Sequence, residues 1–257
     1  MQDDWTAVER FRPDGAAPVV LVCEHASRHI PADLNDLGLT GAALTSHAAW
    51  DIGALAVARG LAERLDAPLV AGATSRLVYD LNRPLESPTA IPPVSEVFEI
   101  PGNQGLSDTA RRDRFDRLHT PFHDALAETV ATQRARVAGP VALITVHSFT
   151  RIYLGQERAV ELGYLFHSDG ALAQAALQVE QTRGQYASAL NEPYGAGDGV
   201  TYTLEKHGES QGLPALMIEV QNDLIEPPEG AAAMADHLAE TLRAILPQPG
   251  QTQEATA

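Results

Sequence analysis

Three runs of hydrocarbon in this chain stop at residues that can do chemistry. Ala17 to Cys23 (APVVLVC) gives way to Glu24 and His25, VALITV (141–146) runs into His147 and Ser148, and PALMIEV (214–220) carries Glu219 near its far end. Arg76, Asn82 and Arg83 cluster in SRLVYDLNRP (75–84), and His47 precedes Asp51 by four positions. Imidazoles plus a carboxylate make a ligand set for a divalent metal, and a catalytic zinc site wants three such ligands with a position open for water. Bound metal brings the pKa of water from about 15.7 toward about 7, and a second carboxylate can then move the proton. An Arg aimed at a developing oxyanion supplies about 3 kcal/mol. An Arg beside an Asn can hold a substrate carboxylate through forked, charge-assisted contacts. These residue types point to hydrolysis of an amide or ester in a small anionic substrate.

The elements that must position these groups follow from the hydrophobic pattern. Unbroken apolar runs read as strands buried on both faces, as in parallel sheets. In open α/β sheets ligands bind in the crevice beyond the carboxyl ends of the strands, where these ionisable residues fall. Further strands are predicted at Ala67–Ala73 and at residues 160–167. In SRLVYDLNRP, Leu77, Tyr79 and Leu81 alternate with Val78, Asp80 and Asn82 as a strand would. Helices are predicted from Thr45 or Ser46 to about Leu65, placing His47 and Asp51 on one face, and from Leu106 to Val137 with a break at Pro121. Others run from an Asp169 cap to Arg183, over Thr201–His207 closed by Gly208, and over residues 227–246. An Asp so early in a helix also suits a capping or dipole role. Residues 84–106 form a long Pro- and Gly-punctuated connection of the kind used as a lid. Residues 1–16 read as a polar surface lead-in, 17–246 as a single catalytic domain and 247–257 as a disordered tail. The fold class is α/β.

Composition narrows the partners. The 257 residues carry 34 acids against 18 bases, a formal net charge of −16. That excludes nucleic acid or an anionic membrane as the main partner, and an anionic substrate must be met by a local basic pocket. One cysteine, Cys23, allows neither an internal disulfide nor a Cys-rich zinc cluster and suits a reducing compartment. With no charged-then-apolar leader and no apolar run near about 18 residues, a soluble cytoplasmic protein is expected. His119 and His123 have metal-pair spacing on a helix, which an ordinary surface or core-edge pair shares. Gly195, Gly197 and Gly199 read as loop glycines, lacking the strand-to-helix context of a phosphate cradle. The string GESQG around Ser210 matches the nucleophile elbow G-x-S-x-G, but that elbow joins a strand to a following helix, and here a strand follows. A serine hydrolase using Ser210 is one alternative; a non-catalytic binder or sensor of an acidic ligand is another.

A set of motifs sharpens the choice. CEHAS-x-x-IP (Cys23 to Pro31), H-x-x-WD-x-G (His47 to Gly53), SRLVYDLNRP (Ser75 to Pro84), HSFT (His147 to Thr150), NEPY (Asn191 to Tyr194) and HG-x-x-x-GLP-x-x-x-IEV-x-NDLI (His207 to Ile225) resemble the N-formylglutamate amidohydrolase family. The resemblance implies a single-domain α/β fold with a mixed, mostly parallel sheet flanked by helices, like that of zinc carboxypeptidases and aspartoacylase-type deacylases. It implies cleavage of a small acidic N-formyl or N-acyl amino acid such as N-formylglutamate, with a divalent metal, zinc first, as cofactor. His25 and His147 resemble metal ligands. The related deacylases use His-x-x-Glu for two ligands, but position 28 here is Arg. The carboxylate ligand is therefore expected from Asp51, with Glu24 in reserve. Glu219 resembles the general base, Arg76 the residue that polarises the scissile carbonyl, and Asn82 with Arg83 the carboxylate clamp, with His207 added on the substrate side.

Overall fold

The structure, a computed structural model, describes residues 4–246. In chain order the elements are β1 (Val8–Phe11), β2 (Val19–Cys23), α1 (Ala54–Leu65), β3 (Leu69–Gly72) and the small hairpin β4 (Val94–Ser95) and β5 (Phe98–Glu99). Next come α2 (Asp108–Arg114), α3 (Thr120–Arg136), β6 (Ala142–Phe149) and a second hairpin, β7 (Ile152–Tyr153) and β8 (Gln156–Glu157). The chain closes with β9 (Leu162–Leu165), α4 (Ala171–Arg183), β10 (Ser188–Leu190), β11 (Ala215–Gln221) and α5 (Pro228–Ile245). Seven strands form one mixed sheet in the order β1-β3-β2-β6-β11-β9-β10. The central strands β3, β2, β6 and β11 are mutually parallel, while β1 and β9 run against their neighbours β3 and β11.

Side-chain alternation along these strands builds two cores. Val19, Leu21, Ile144, Val146, Ile218 and Val220 face α1, α4 and α5. Val20, Val22, Leu143 and Met217 face α3 and the long loops. Each fully buried Val, Leu or Ile contributes about 1.5–3 kcal/mol relative to exposure, which explains why the central strands read as unbroken apolar runs. The chain leaves β2 toward β3 on one side and reaches β6 on the other. The strand order therefore reverses between β2 and β6, the topological switch point where open α/β sheets bind ligands.

Several local expectations are corrected. The helix predicted from Thr45 or Ser46 starts at Ala54, because Gly53 takes φ +81 and its backbone presses on the Ile225 carbonyl, leaving no room for a Cβ. His47 and Asp51 therefore lie in the preceding turn. SRLVYDLNRP is a buried succession of turns rather than a strand: the Asp80 carboxylate accepts the Asn82 N–H at 2.9 Å, an Asx turn, and Leu77, Val78, Tyr79 and Leu81 are all buried. The segment expected as a lead-in supplies the edge strand β1. Pro121 falls in the first turn of α3, joined to α2 by a π-helical turn, Phe115–His119. The helix expected to close at Gly208 runs on to Gln211 and stops at Gly212, φ +68. The N-cap of α4 is Gly170 rather than Asp169, which stands one position earlier and accepts the Ala171 N–H at 3.0 Å. The predicted tail, 247–257, lies outside the described residues. No helix among the described residues is long and apolar enough to cross a membrane.

Candidate active site

Glu24 and His25 are set by the end of β2, His147 by β6, and Glu219 by β11, where it is the register partner of His147. Asp51 is tied into place from three directions. Its N–H donates to the His25 carbonyl (2.9 Å), Ser148 Oγ donates to the Ile52 carbonyl (2.8 Å), and Ser75 Oγ donates to the Ala49 carbonyl (2.7 Å). Asp51 Oδ2 then lies 2.8 Å from His147 Nδ1 and 3.3 Å from His25 Nδ1. The ligand atoms of His25, Asp51 and His147 fall within 4.8 Å of one another, and all three residues are buried.

The second nitrogen of each ring faces another carboxylate. His25 Nε2 is 2.7 Å from Asp80 Oδ1, and His147 Nε2 is 3.1 Å from Glu24 Oε2. Metal-ligating imidazoles are held by carboxylates in this way. Glu24 thus stands behind His147, where it can orient a ligand. The Glu24–His147 approach is close but off-axis, so both Glu24 oxygens and His147 Nε2 are buried without a hydrogen bond, as are Glu219 Oε2 and His47 Nδ1. Buried polar atoms are nearly always paired. So many unpaired ones around a single point fit a site built for a charged occupant.

Burial works against charge on each of these groups, and their neighbours decide the outcome. Against burial, Glu24 and Asp51 push His147 well above the usual imidazole value. His25 is raised because Asp80 and Asp51 outweigh burial and the nearby Arg76. Asp51 is held well below the carboxylate range, His25, His147 and Arg76 overcoming its burial. Asp80 is lowered by His25, Arg76 and Arg83, again against burial, and Glu24 is lowered chiefly by His147. The field between the rings favours positive charge, and a divalent cation would take the place of protons there. Glu219 behaves differently: burial dominates and pushes it up to about 7.

A cavity of about 260 Å³ lies over this cluster, lined by His25, Asp51, His147 and Glu219 together with Arg76 and Arg83. Arg76 is bracketed by Asp51 Oδ1 and Asp80 Oδ2, each at 3.2 Å. Asn82 also lines the cavity, but its amide is spent on the backbone, donating to the Val200 carbonyl and accepting the Thr203 N–H (2.9 Å). Arg83 donates to the carbonyls of Gly199 (2.7 Å) and Asn82 (2.9 Å) and to Thr89 Oγ1 (3.2 Å). These hydrogen-bond partners are all neutral, and the nearby charge that feels the guanidinium is Asp80.

His207 is not among the lining residues. Its ring stacks on His123 at 5.0 Å, with Nε2 2.7 Å from His123 Nδ1, and His123 Nε2 donates to the Leu81 carbonyl at 2.9 Å. The pair therefore braces the turn that carries Asn82 and Arg83. His119 and His123 also contact ring to ring (4.0 Å), without the metal-site spacing of the His25 group. Ser210 sits exposed on a 3₁₀ turn and donates to the Lys206 carbonyl at 2.7 Å, away from the cavity lining. Among the described residues the Ser210 hydroxyl is engaged by a backbone carbonyl rather than by an imidazole or carboxylate, and it lies outside the cavity over the His25 cluster.

Sequence reasoning left Asp80 unassigned, although it stands four residues after Arg76 and two before Asn82, a spacing that already suggests an ion pair and an Asx turn. His47, 3.9 Å from Asp51 Oδ1, and Tyr194 both line the cavity. Each lies inside a quoted motif and received no role.

The comparisons with known proteins bear on the family and the fold. The family model described as N-formylglutamate amidohydrolase matches residues 17–226. No curated protein matches the chain significantly. The crystal structure of gene product Atu2144 from Agrobacterium tumefaciens is 45% identical, with a TM-score of 0.90 over 94% of this chain and 95% of that one. An N-formylglutamate amidohydrolase from Ralstonia eutropha JMP134 is 21% identical, with a TM-score of 0.66 over 92% of this chain and 96% of its own, a likeness of fold. With its switch-point cluster and a family match spanning nearly the whole sheet, the chain belongs to the N-formylglutamate amidohydrolase family, hydrolases that act on an amide bond.

Proposed function

We propose that this chain is a metal-dependent hydrolase of the N-formyl amide of a small N-formyl amino acid, the zinc-class divalent ion being held by His25, Asp51 and His147. One observation carries the reading: two imidazoles converge on one carboxylate oxygen, each backed by a further carboxylate, in a pocket of unpaired buried polar atoms. Those residues fit a divalent cation, which when bound supplies Lewis acidity to the formyl carbonyl and acidity to water.

The protein's own residues do the rest. Glu219, with a carboxyl poised near neutrality and an oxygen without a partner, takes the proton from the attacking water and returns it to the leaving amine. Arg76, fixed by two carboxylates, presents a guanidinium edge to the oxygen on which charge develops. Arg83 holds the α-carboxylate, while Asn82 fixes the turn from which it acts. Glu24 and Asp80 keep the imidazoles oriented. Formate and the free amino acid are the products.

The test is elemental analysis of the purified protein followed by formate release from a panel opening with N-formylglutamate. Chelation is expected to abolish turnover, and adding back a divalent ion to restore it. Activity indifferent to chelators would refute the metal reading.

A further inference from the structure

The arginines around the cavity bear on which group of the substrate each wall receives, an inference that rests on the amidohydrolase reading. Arg76 is bound between Asp51 and Asp80, and Arg83 serves one carboxylate. A third, Arg158, lies outside the motifs read in the sequence. It follows β8 where the second hairpin closes, its N–H donating to the Arg151 carbonyl at 2.8 Å. Its guanidinium lies over the rings of Tyr153 (4.6 Å), Tyr194 (4.8 Å) and Phe149 (5.6 Å) and donates to the Thr150 carbonyl (3.1 Å). Phe149 ends β6, the strand that carries His147, so the side chain is docked on the same strand end as the metal cluster. Among the described residues no carboxylate pairs with it at ion-pair distance.

Tyr153 and Tyr194 line the cavity, and the charge of Arg158 is felt inside it. Burial pushes His47, another lining residue, down to about 4, with Arg76, His25 and Arg158 adding to the push against Asp51. Burial raises Glu96, the lining acid between β4 and β5, and Arg76 and Arg158 oppose the rise. A carboxylate within the cavity is thus already in the field of Arg158. Stacking on rings holds a guanidinium by its faces and leaves N–H groups along its edge for the two oxygens of a carboxylate. The lining offers Val94, Tyr153 and Tyr194 as hydrocarbon for the methylenes that separate two carboxylates.

We infer that Arg158 is a specificity-determining residue, taking a carboxylate at the far end of the substrate's side chain through forked contacts while Arg83 holds the α-carboxylate. Every N-formyl amino acid carries the group that Arg83 binds. Arg158 separates a side chain that ends in a carboxylate from one of the same shape that ends in an amide. Specificity of this kind is a difference between two affinities, so it is read as a ratio.

The experiment measures formate release and calorimetric binding for N-formylglutamate and N-formylglutamine, using the metal-loaded protein and its Arg158→Gln and Arg151→Gln variants. Arg151, on the same hairpin, is paired with Asp223 and Glu157 and serves as the control for a charge lost nearby. The protein is expected to favour the glutamate compound by about 10–10²-fold in kcat/KM, chiefly through KM, the range for hydrogen bonds to a charged group. In Arg158→Gln that ratio falls by about tenfold or more, and in Arg151→Gln it holds. A ratio within one preparation is indifferent to how much of it is folded, and a merely structural role for Arg158 would slow both compounds alike. A ratio unmoved by Arg158→Gln, or an equal fall in Arg151→Gln, overturns the inference. Equal turnover of the two compounds by the unmodified protein overturns it too and leaves the hydrolase reading standing. Preferential binding of the glutamate compound that depends on Arg158, without formate release from either, upholds the inference and sinks the hydrolase reading.

Discussion

Two buried carboxylate–histidine groups in this molecule are assembled from the same parts and finished differently. Between α4 and α5, Glu180 is fully saturated: Oε1 accepts from Thr241 Oγ1 (2.6 Å) and Tyr164 Oη (3.1 Å), and Oε2 faces His237 Nε2 at 2.6 Å. At the ends of β2, β6 and β11, Glu24, Glu219 and His147 are buried as deeply, yet each keeps at least one polar atom with no hydrogen bond. A saturated buried group stabilises and specifies packing, whereas an unsaturated one costs free energy unless something else completes it. The contrast separates structural burial from functional burial without reference to any relative.

The largest expected effect tests the unsaturated side. Glu219→Gln should retain bound metal while formate release falls by about 10²–10⁴-fold, the usual range for a general base; loss of metal on elemental analysis would make Glu219 a ligand instead. Next in size, Arg83→Gln should raise KM by about 10–10²-fold with a smaller change in kcat, since hydrogen bonds to a charged group are worth about 1.5–3 kcal/mol. Steady-state kinetics on an N-formyl amino acid checks this, and an unchanged KM removes Arg83 from carboxylate binding.

On the saturated side, Glu180→Gln should leave metal content and turnover alone and cost about 1–3 kcal/mol of stability in denaturant titration. Its carboxyl is held below the ordinary value, the His237 and Thr241 hydrogen bonds outweighing burial. A depressed folded-state pKa stabilises fully above the ordinary carboxylate value of about 4.3 and ceases to as pH falls through the folded one. The Tm gap between wild type and variant should therefore close on acidification from about pH 6 toward about pH 3. The smallest effect expected is at Ser210: Ser210→Ala should change turnover by less than about twofold, as for surface positions in general.

Much of the saturated core and the strand ends could be read from sequence, because hydrocarbon runs such as Val19–Cys23 admit few structures other than a strand buried on both faces. The turn from Thr45 to Gly53 could not. Good N-cap residues and an apolar pattern favour a helix there, but Gly53 takes a left-handed φ of +81 where it packs against the Ile225 carbonyl, and the helix begins after it. SRLVYDLNRP misled for a related reason: alternation implies two unlike faces, but both sides of this segment are buried. Within the site, His25, Asp51, His147 and Glu219 announced themselves as ionisable residues beside hydrocarbon or within motifs. The backing role of Glu24 and Asp80 depends on which ring nitrogen faces which carboxylate, a matter of angles that spacing along the chain does not encode. The bracing of the Leu81–Arg83 turn by His123 and His207 joins residues brought together only by folding.

The pairing of Glu219 with His147 across neighbouring parallel strands has an evolutionary corollary. Inserting or deleting a single residue in β11 upstream of Glu219 would turn its side chain to the opposite face of the sheet, where α1 and α5 pack. The Glu219 position in the cavity can therefore diverge by substitution but not by length. The hairpins around the entrance obey no such rule, and descendants of this chain are free to lengthen or trim them when they change diet.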